Sequence, residues 1–124
     1  VTLLLVMLGA AIGAPSRWLL DQKIQGAHDS VFPWGTFTIN VTGSLLLGII
    51  LGTVELGPGT AQLAAIAGTG FCGGFTTFST FGFETIRLVE DGSTLESSLN
   101  IAASLAAGML AAFAGWGIAQ LIWT

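Results

Sequence analysis

The charged residues of this 124-residue chain are few and bunched, and the stretches between them decide what it can fold into. Charge-free runs extend over 16 residues (Val1–Ser16), 25 (Ser30–Val54), 28 (Leu56–Phe83) and 28 (Ser97–Thr124). A bilayer hydrocarbon core about 30 Å thick takes about 20 mostly apolar residues per helix. The runs therefore read as four transmembrane helices, at about 1–20, 33–54, 60–88 and 95–123, forming one all-α integral membrane domain over residues 1–124. Only 8% of the chain is charged, against about 25% in an ordinary soluble domain. Three basic and seven acidic side chains cannot surface a soluble enzyme.

The first run has no basic leader, and its helical pattern continues through Trp18-Leu19-Leu20, so it is expected to stay as a span rather than act as a signal peptide. With a net charge of −4, the chain has too little positive charge to hold a nucleic acid. The single Cys72 lies in an apolar run and reads as a packing residue. His28 falls in a loop without a partner at metal-ligand spacing, so no His/Cys metal site is expected.

The loops are short, at Asp21–Phe32, Glu55–Gly59 and Val89–Thr94. Gly57-Pro58-Gly59 is a helix breaker, and Asp91-Gly92-Ser93 reads as a turn with a cap for the last span. Trp18, Trp34 and Trp123 stand where an aromatic belt anchors helices at the lipid–water interface. Small residues recur at four-residue spacing in Gly9/Gly13, Gly48/Gly52 and Ser104/Gly108/Ala112. Such faces let helices associate in lipid, where the hydrophobic force between them is weak. They serve either packing within the chain or a homodimer, and the slimness of a four-helix bundle favours the dimer. Arg17, Lys23 and Arg87 all flank the first and third loops, a bias thin enough to allow insertion in both orientations.

The segment from Gly68 to Phe81 carries most of the information. Gly68, Gly70, Gly73 and Gly74 are followed by Thr76, Thr77, Ser79 and Thr80. Each glycine disfavours helix by about 1 kcal/mol relative to alanine, so the third span is expected to break near mid-membrane. Freed backbone groups at that depth must be buried in protein or line a wet cavity, and broken helices are where transport proteins bind ions. The Gly68-x-Gly70-x-x-Gly73 match to a dinucleotide fingerprint lacks the βαβ unit that would give it meaning. Phe75, Phe78 and Phe81 recur every three residues, one turn after Phe71, and are expected on one helix face among hydroxyls. Ring edges carry partial positive charge, so rings and hydroxyls together offer neutral donors to a small anion.

Asn40 lies deep in the second run, with Thr36, Thr38, Thr42 and Ser44 around it. A buried amide needs partners: either another helix or an ion in a pore. Arg17 reads as a snorkelling anchor or a source of positive potential at a pore mouth. Glu84, three residues before Arg87, reads most simply as half of an exposed helix ion pair.

These residues resemble the small four-span fluoride channels of the Fluc (CrcB) family. The resemblance rests on Gly9-x-x-x-Gly13-x-x-x-Arg17-Trp18, on Gly35-Thr36-x-x-x-Asn40-x-x-Gly43, and on Gly70-x-Cys72-Gly73-Gly74-x-Thr76-Thr77-Phe78-Ser79-Thr80-Phe81-x-x-Glu84. It implies an antiparallel, dual-topology homodimer in the inner (plasma) membrane, with two passive fluoride pores. It further implies a structural sodium ion at the dimer centre, held by backbone carbonyls that fall here on Gly73 and Thr76. Phe78 and Phe81 would be the pore phenylalanines and Asn40 the pore amide. Thr77, Ser79 and Glu84 would lie along the ion path, and Arg17 near the aqueous vestibule. One departure is that Gly108 and Ala112 stand where the family usually brings serine or threonine, which implies a less polar pore wall. A small proton-coupled exporter of the multidrug type is the alternative, but the first span holds no acid before Asp21. A purely structural subunit would explain the glycine faces and leave the hydroxyl–phenylalanine face unexplained.

Overall fold

A computed structural model describes residues 2–27, 32–58 and 60–124, and every regular element among them is helical. His28 and Gly59 lie outside the described residues. Three helices are long and apolar enough to cross a membrane: α1 (Thr2–Gln25), α2 (Trp34–Leu56) and α6 (Thr94–Trp123). Between α2 and α6 the chain is helical in pieces. A short α3 (Ala61–Leu63) passes into a π-helical segment, Ala64–Cys72, then α4 (Gly73–Phe75). After a non-helical step at residues 76–78, α5 (Ser79–Glu90) follows.

Two helices outrun their apolar stretches. The loop expected to begin at Asp21 begins at Gly26, because α1 continues through Asp21 and Lys23 to Gln25. In the same way α2 carries Glu55 inside its last turn. Hydrocarbon thickness limits the apolar run but not the helix, whose polar end emerges intact into the interface. Beyond Leu56 the backbone of Gly57 is extended, and Thr60 restarts the chain by accepting the Leu63 amide on its hydroxyl at 3.2 Å.

The turn after α5 closes by a glycine at φ +82°, Gly92, which directs the Ser93 amide to the Leu88 carbonyl (2.8 Å) and its own to Val89 (3.1 Å). That is a Schellman closure, and it satisfies carbonyls that a helix end otherwise leaves open. Ser93 takes the N-cap position of α6, but its side chain makes no capping bond, contrary to the cap expected there.

The small-residue faces are used within the chain. A Cβ on Gly9 would collide with the Ile66 carbonyl and lie 2.7 Å from Phe71 N, and one on Gly13 would collide with the Phe71 carbonyl. So α1 lies backbone to backbone on the π-helical segment. A Cβ on Gly48 would collide with the Ala112 carbonyl, and one on Gly52 would lie 2.5 Å from Ala119 Cβ. The Ala112 backbone therefore lies against α2, and α2 with α6 is the most extensive helix pairing among the described residues. The Gly9/Gly13 and Gly48/Gly52 faces thus carry no argument for a dimer. Elsewhere large apolar side chains such as Leu110, Phe113 and Leu121 point outward, as a lipid-facing surface requires.

The π-helical stretch was not legible as such in the sequence. Its glycines carry no side chains to lock an α register, and α1 presses directly on its backbone. Wider i→i+5 turns are rare and recur at functional sites.

Candidate functional site

At the break, side chains take over hydrogen bonds that an unbroken helix would give to its own backbone. Asn40 of α2 donates from Nδ2 to the Thr77 carbonyl and accepts the Thr77 amide on Oδ1, both at 2.9 Å. Its amide therefore pairs with one residue's backbone in the manner of a strand partner. Thr77 in turn accepts the Thr80 amide on Oγ1 at 3.2 Å, capping the first turn of α5. Thr76 closes the preceding half, its amide and hydroxyl both donating to the Cys72 carbonyl at 2.9 and 2.8 Å.

These substitutions have a definite consequence. In a continuous helix Gly73 O would accept from the Thr77 amide, and Thr76 O from the Thr80 amide. Asn40 has taken the first donor and the Thr77 hydroxyl the second. Among the described residues, no other backbone donor reaches either carbonyl. The two carbonyls named from the resemblance are thus left without their helical partners.

The break opens on a groove of about 510 Å³ between α2, the segmented helix and α6. Asn40, Gly73, Thr76, Thr77, Phe78 and Phe81 line it, together with Ser104 and Gly108 of α6. No side chain lining it carries a formal charge. Phe78 is 82% exposed and lies 5.9 Å from Phe81 between ring centroids. The expected single phenylalanine face is therefore split. Phe71 and Phe75 stack at 5.5 Å, with Phe75 buried, because the backbone leaves helical geometry after Phe75. The period of three counts residues as if the helix were unbroken, and it is not.

Three of the named residues lie away from the groove. Ser79 is exposed near the Thr77 hydroxyl, 3.4 Å away. Arg17 sits half-exposed on α1, one turn beyond Gly13. Glu84 borders a separate cavity of about 180 Å³ that also touches Gln25, Arg87 and Asp91. The expected Glu84–Arg87 pair is not formed. Arg87 Nε instead approaches Asp91 Oδ2 at 4.0 Å, an exposed contact of little energetic weight. Oε1 of Glu84 is buried with no hydrogen-bond partner among the described residues, as is Oδ1 of Asp21.

Residues the sequence reading passed over complete the wall. Ser104, noted only for its size, places a hydroxyl on the groove one turn before Gly108. Asn100, 1% exposed, and buried Ser97 lie behind it. The signal was present: Ser97, Asn100 and Ser104 recur at helical spacing as a polar stripe in an apolar helix.

Comparison with known proteins finds matches over nearly the whole chain. Residues 4–116 match the family model described as CrcB-like protein, Camphor Resistance (CrcB). The chain is 51% identical over 120 residues to a Streptomyces avermitilis protein named fluoride-specific ion channel FluC 1, with 97% of each chain covered. It is 49% identical over 125 residues to a protein of the same name from Frankia casuarinae, again with 97% of each covered. Against the fluoride-specific ion channel FluC of Geobacter sulfurreducens, identity is 39% over 115 residues, covering 92% of this chain and 93% of that one.

Proposed function

The chain belongs to the CrcB family, and from that premise we propose that it is a passive, fluoride-selective ion channel rather than an enzyme. The observation that carries the reading at the level of residues is the uncharged groove at the helix break, where Asn40, Phe78 and Phe81 meet. Fluoride is small and strongly hydrated, so a pore must replace much of its water. A fixed charge deep in the membrane would hold the ion too tightly, whereas several moderate neutral donors allow both entry and exit. Phenyl edges and the Asn40 Nδ2 hydrogen not used on Thr77 are donors of that kind. Arg17, Glu84 and Ser79, away from the groove, are assigned to the approaches of the path.

In this reading the pieces from Ala61 to Glu90 together make a fourth crossing, with the break at Thr76–Phe78 within it. Two subunits insert in opposite orientations in the inner (plasma) membrane and close each other's open grooves. The thin bias of basic residues between the loops supports dual topology. The exposed Phe78 and the bare backbone of Gly73, with nothing within 4 Å of a Cβ built there, support a partner seated over the break.

A structural sodium ion fits the donor set at this point. Gly73 and Thr76 present carbonyls released from helical bonds. Hard cations favour such oxygen ligands, and no carboxylate lies between Leu56 and Phe83 to favour a divalent ion. The residues that would hold it are Gly73 and Thr76, and a bound cation would supply fixed positive charge beside their carbonyls.

The proton-coupled exporter is not favoured, since α1 carries no acid until Asp21 near its end. The test is efflux from liposomes containing only this protein, comparing fluoride with chloride, with and without a proton gradient. Fluoride efflux that needs no gradient and far exceeds chloride efflux is expected. Replacing Phe78 or Phe81 with isoleucine keeps much of the volume and removes the polarised edge, so flux should fall sharply in folded protein. Parental flux from both variants would reduce the rings to packing.

A further inference from the structure

A chain of hydrogen bonds, buried at its centre, ties α6 to the half of the broken helix that carries Phe81. Ser104 Oγ donates to Asn100 Oδ1 (3.1 Å), and Asn100 Nδ2 donates to Thr85 Oγ1 (2.9 Å). Thr85 Oγ1 then donates to the Phe81 carbonyl (2.7 Å). Ser97 adds a bond to the Thr85 carbonyl at 3.0 Å. Asn100 is 1% exposed and Thr85 8%, so at the centre of the chain a lost partner is not replaced by bulk water. Both ends of the chain, Ser104 and Phe81, border the groove.

The mechanical setting gives this network its meaning. α5 is cut off from the preceding helix at Thr76–Phe78, so the helix before the break does not fix its rotation. It packs mainly on α6 and only slightly on α2. Apart from buried Leu88, its inward face in the second turn is Thr85. Phe81 stands one turn before Thr85, so a rotation of α5 about its axis carries the Phe81 ring around the groove wall.

We propose that Asn100 is a positioning residue that, through the Thr85 hydroxyl, sets the rotation of α5 and so holds the Phe81 ring at the groove. Asn100 suits this task because its amide has a fixed donor and a fixed acceptor side. The Thr85 hydroxyl occupies the donor side and Ser104 the acceptor side, which leaves one orientation of the amide. The proposal rests on Phe81 belonging to the ion path.

The experiment measures fluoride and chloride efflux from liposomes for Thr85→Val, Thr85→Ser, Asn100→Ala, the pair Asn100→Ala/Thr85→Val, and Ser97→Ala, each checked for parental elution and helical content. Thr85→Val keeps shape and deletes the hydroxyl, and should lower fluoride flux about tenfold and reduce the fluoride-to-chloride ratio. Thr85→Ser should retain the parental ratio. Asn100→Ala should match Thr85→Val, and the double variant should be no worse than either single one. Ser97→Ala loosens α5 on α6 without touching the bonds that run to Phe81, so its ratio should stay parental. An Asn100→Ala effect that adds fully to Thr85→Val would place the amide on the ion itself and overturn the proposal. A Ser97→Ala loss equal to that of Thr85→Val would reduce the network to general docking and also overturn it. If Thr85→Val yields no folded protein, the ratio of Asn100→Ala decides, and an unchanged ratio is fatal. Parental flux from Phe81→Ile would instead remove the premise about the ring, a separate failure.

Discussion

The seam between α2 and α6 and the break between α4 and α5 are both built on glycine, and they use it in opposite ways. At the seam, a Cβ on Gly115 would collide with the Leu45 carbonyl and lie 2.9 Å from Ile49 N; the missing side chain is filled by backbone. At the break, a Cβ on Gly73 would meet nothing within 4 Å. The seam places glycine where two helices must touch in a solvent that offers no hydrophobic drive between them. At the break, glycine leaves a helix end bare, with its carbonyl released by Asn40. The same residue type thus marks finished packing in one place and an unfinished surface in the other.

The sharpest test exchanges the two situations. Gly115→Val forces side-chain atoms into backbone that cannot move aside, at about 3 kcal/mol or more, and should abolish recovery of folded protein in detergent. Gly73→Ala should leave helical content and monomer stability close to parental. If the proposed dimer closes over the break, the cost should fall on association, shifting size-exclusion elution towards smaller species. If Gly115→Val elutes and melts as the parent does, the seam is looser than its geometry. If Gly73→Ala is the one that fails to fold, the break is packing like the rest.

Next in size is Asn40→Asp, which acts at the break alone. The aspartate would keep an acceptor for the Thr77 amide and replace the Nδ2 donor with an oxygen facing the Thr77 carbonyl, 2.9 Å from the present nitrogen. Two oxygens cannot share that spacing without a proton between them. An ionised acid there would also repel anions from the groove. Fluoride efflux should fall to the level of empty liposomes while the seam, and with it helical content, is retained. Asn40→Asp efflux equal to the parent's would place Asn40 outside both roles.

How far each region could be read beforehand follows from the physics of its signal. The three long helices were legible because hydropathy over 20 or more residues is a sum in which single errors cancel; only the polar ends of α1 and α2, Asp21–Gln25 and Glu55–Leu56, were missed. The existence of the break followed from Gly68–Gly74 and the hydroxyls after them, which disfavour helix residue by residue. Its form did not follow. The π-helical stretch depends on α1 pressing on Ile66 and Phe71, a contact between segments far apart in sequence. The split of Phe75 from Phe78 depends on where the turn falls to within one residue. Asn40 was marked by being polar in an apolar run, yet its partner, Thr77, is 37 residues away. Asn100 carries the same mark, an amide in an apolar run, but lies outside every motif on which the resemblance rests.

The smallest expected effect lies at the far end of the seam, where Trp123 of α6 meets α2. Its sequence position suggests an interfacial anchor, but its ring covers Gly57 and its Nε1 donates to Thr53 Oγ1 at 3.0 Å. Thr53 also donates to the Ile49 carbonyl at 2.8 Å, so its hydroxyl is fixed to receive the indole. A hydrogen bond at an exposed site contributes about 0.5–1 kcal/mol. Trp123→Phe keeps an aromatic ring at the interface and removes the donor, while Thr53→Val removes the acceptor and leaves the tryptophan untouched. Both should lower the thermal midpoint by about 2–5 °C, and the pair together by no more than either alone. Neither should change the fluoride-to-chloride ratio, because the break is held by Asn40 and Thr77 and not by this clasp. A drop with Trp123→Phe and none with Thr53→Val would make Trp123 an anchor to lipid, leaving the seam to be closed by glycine contacts alone.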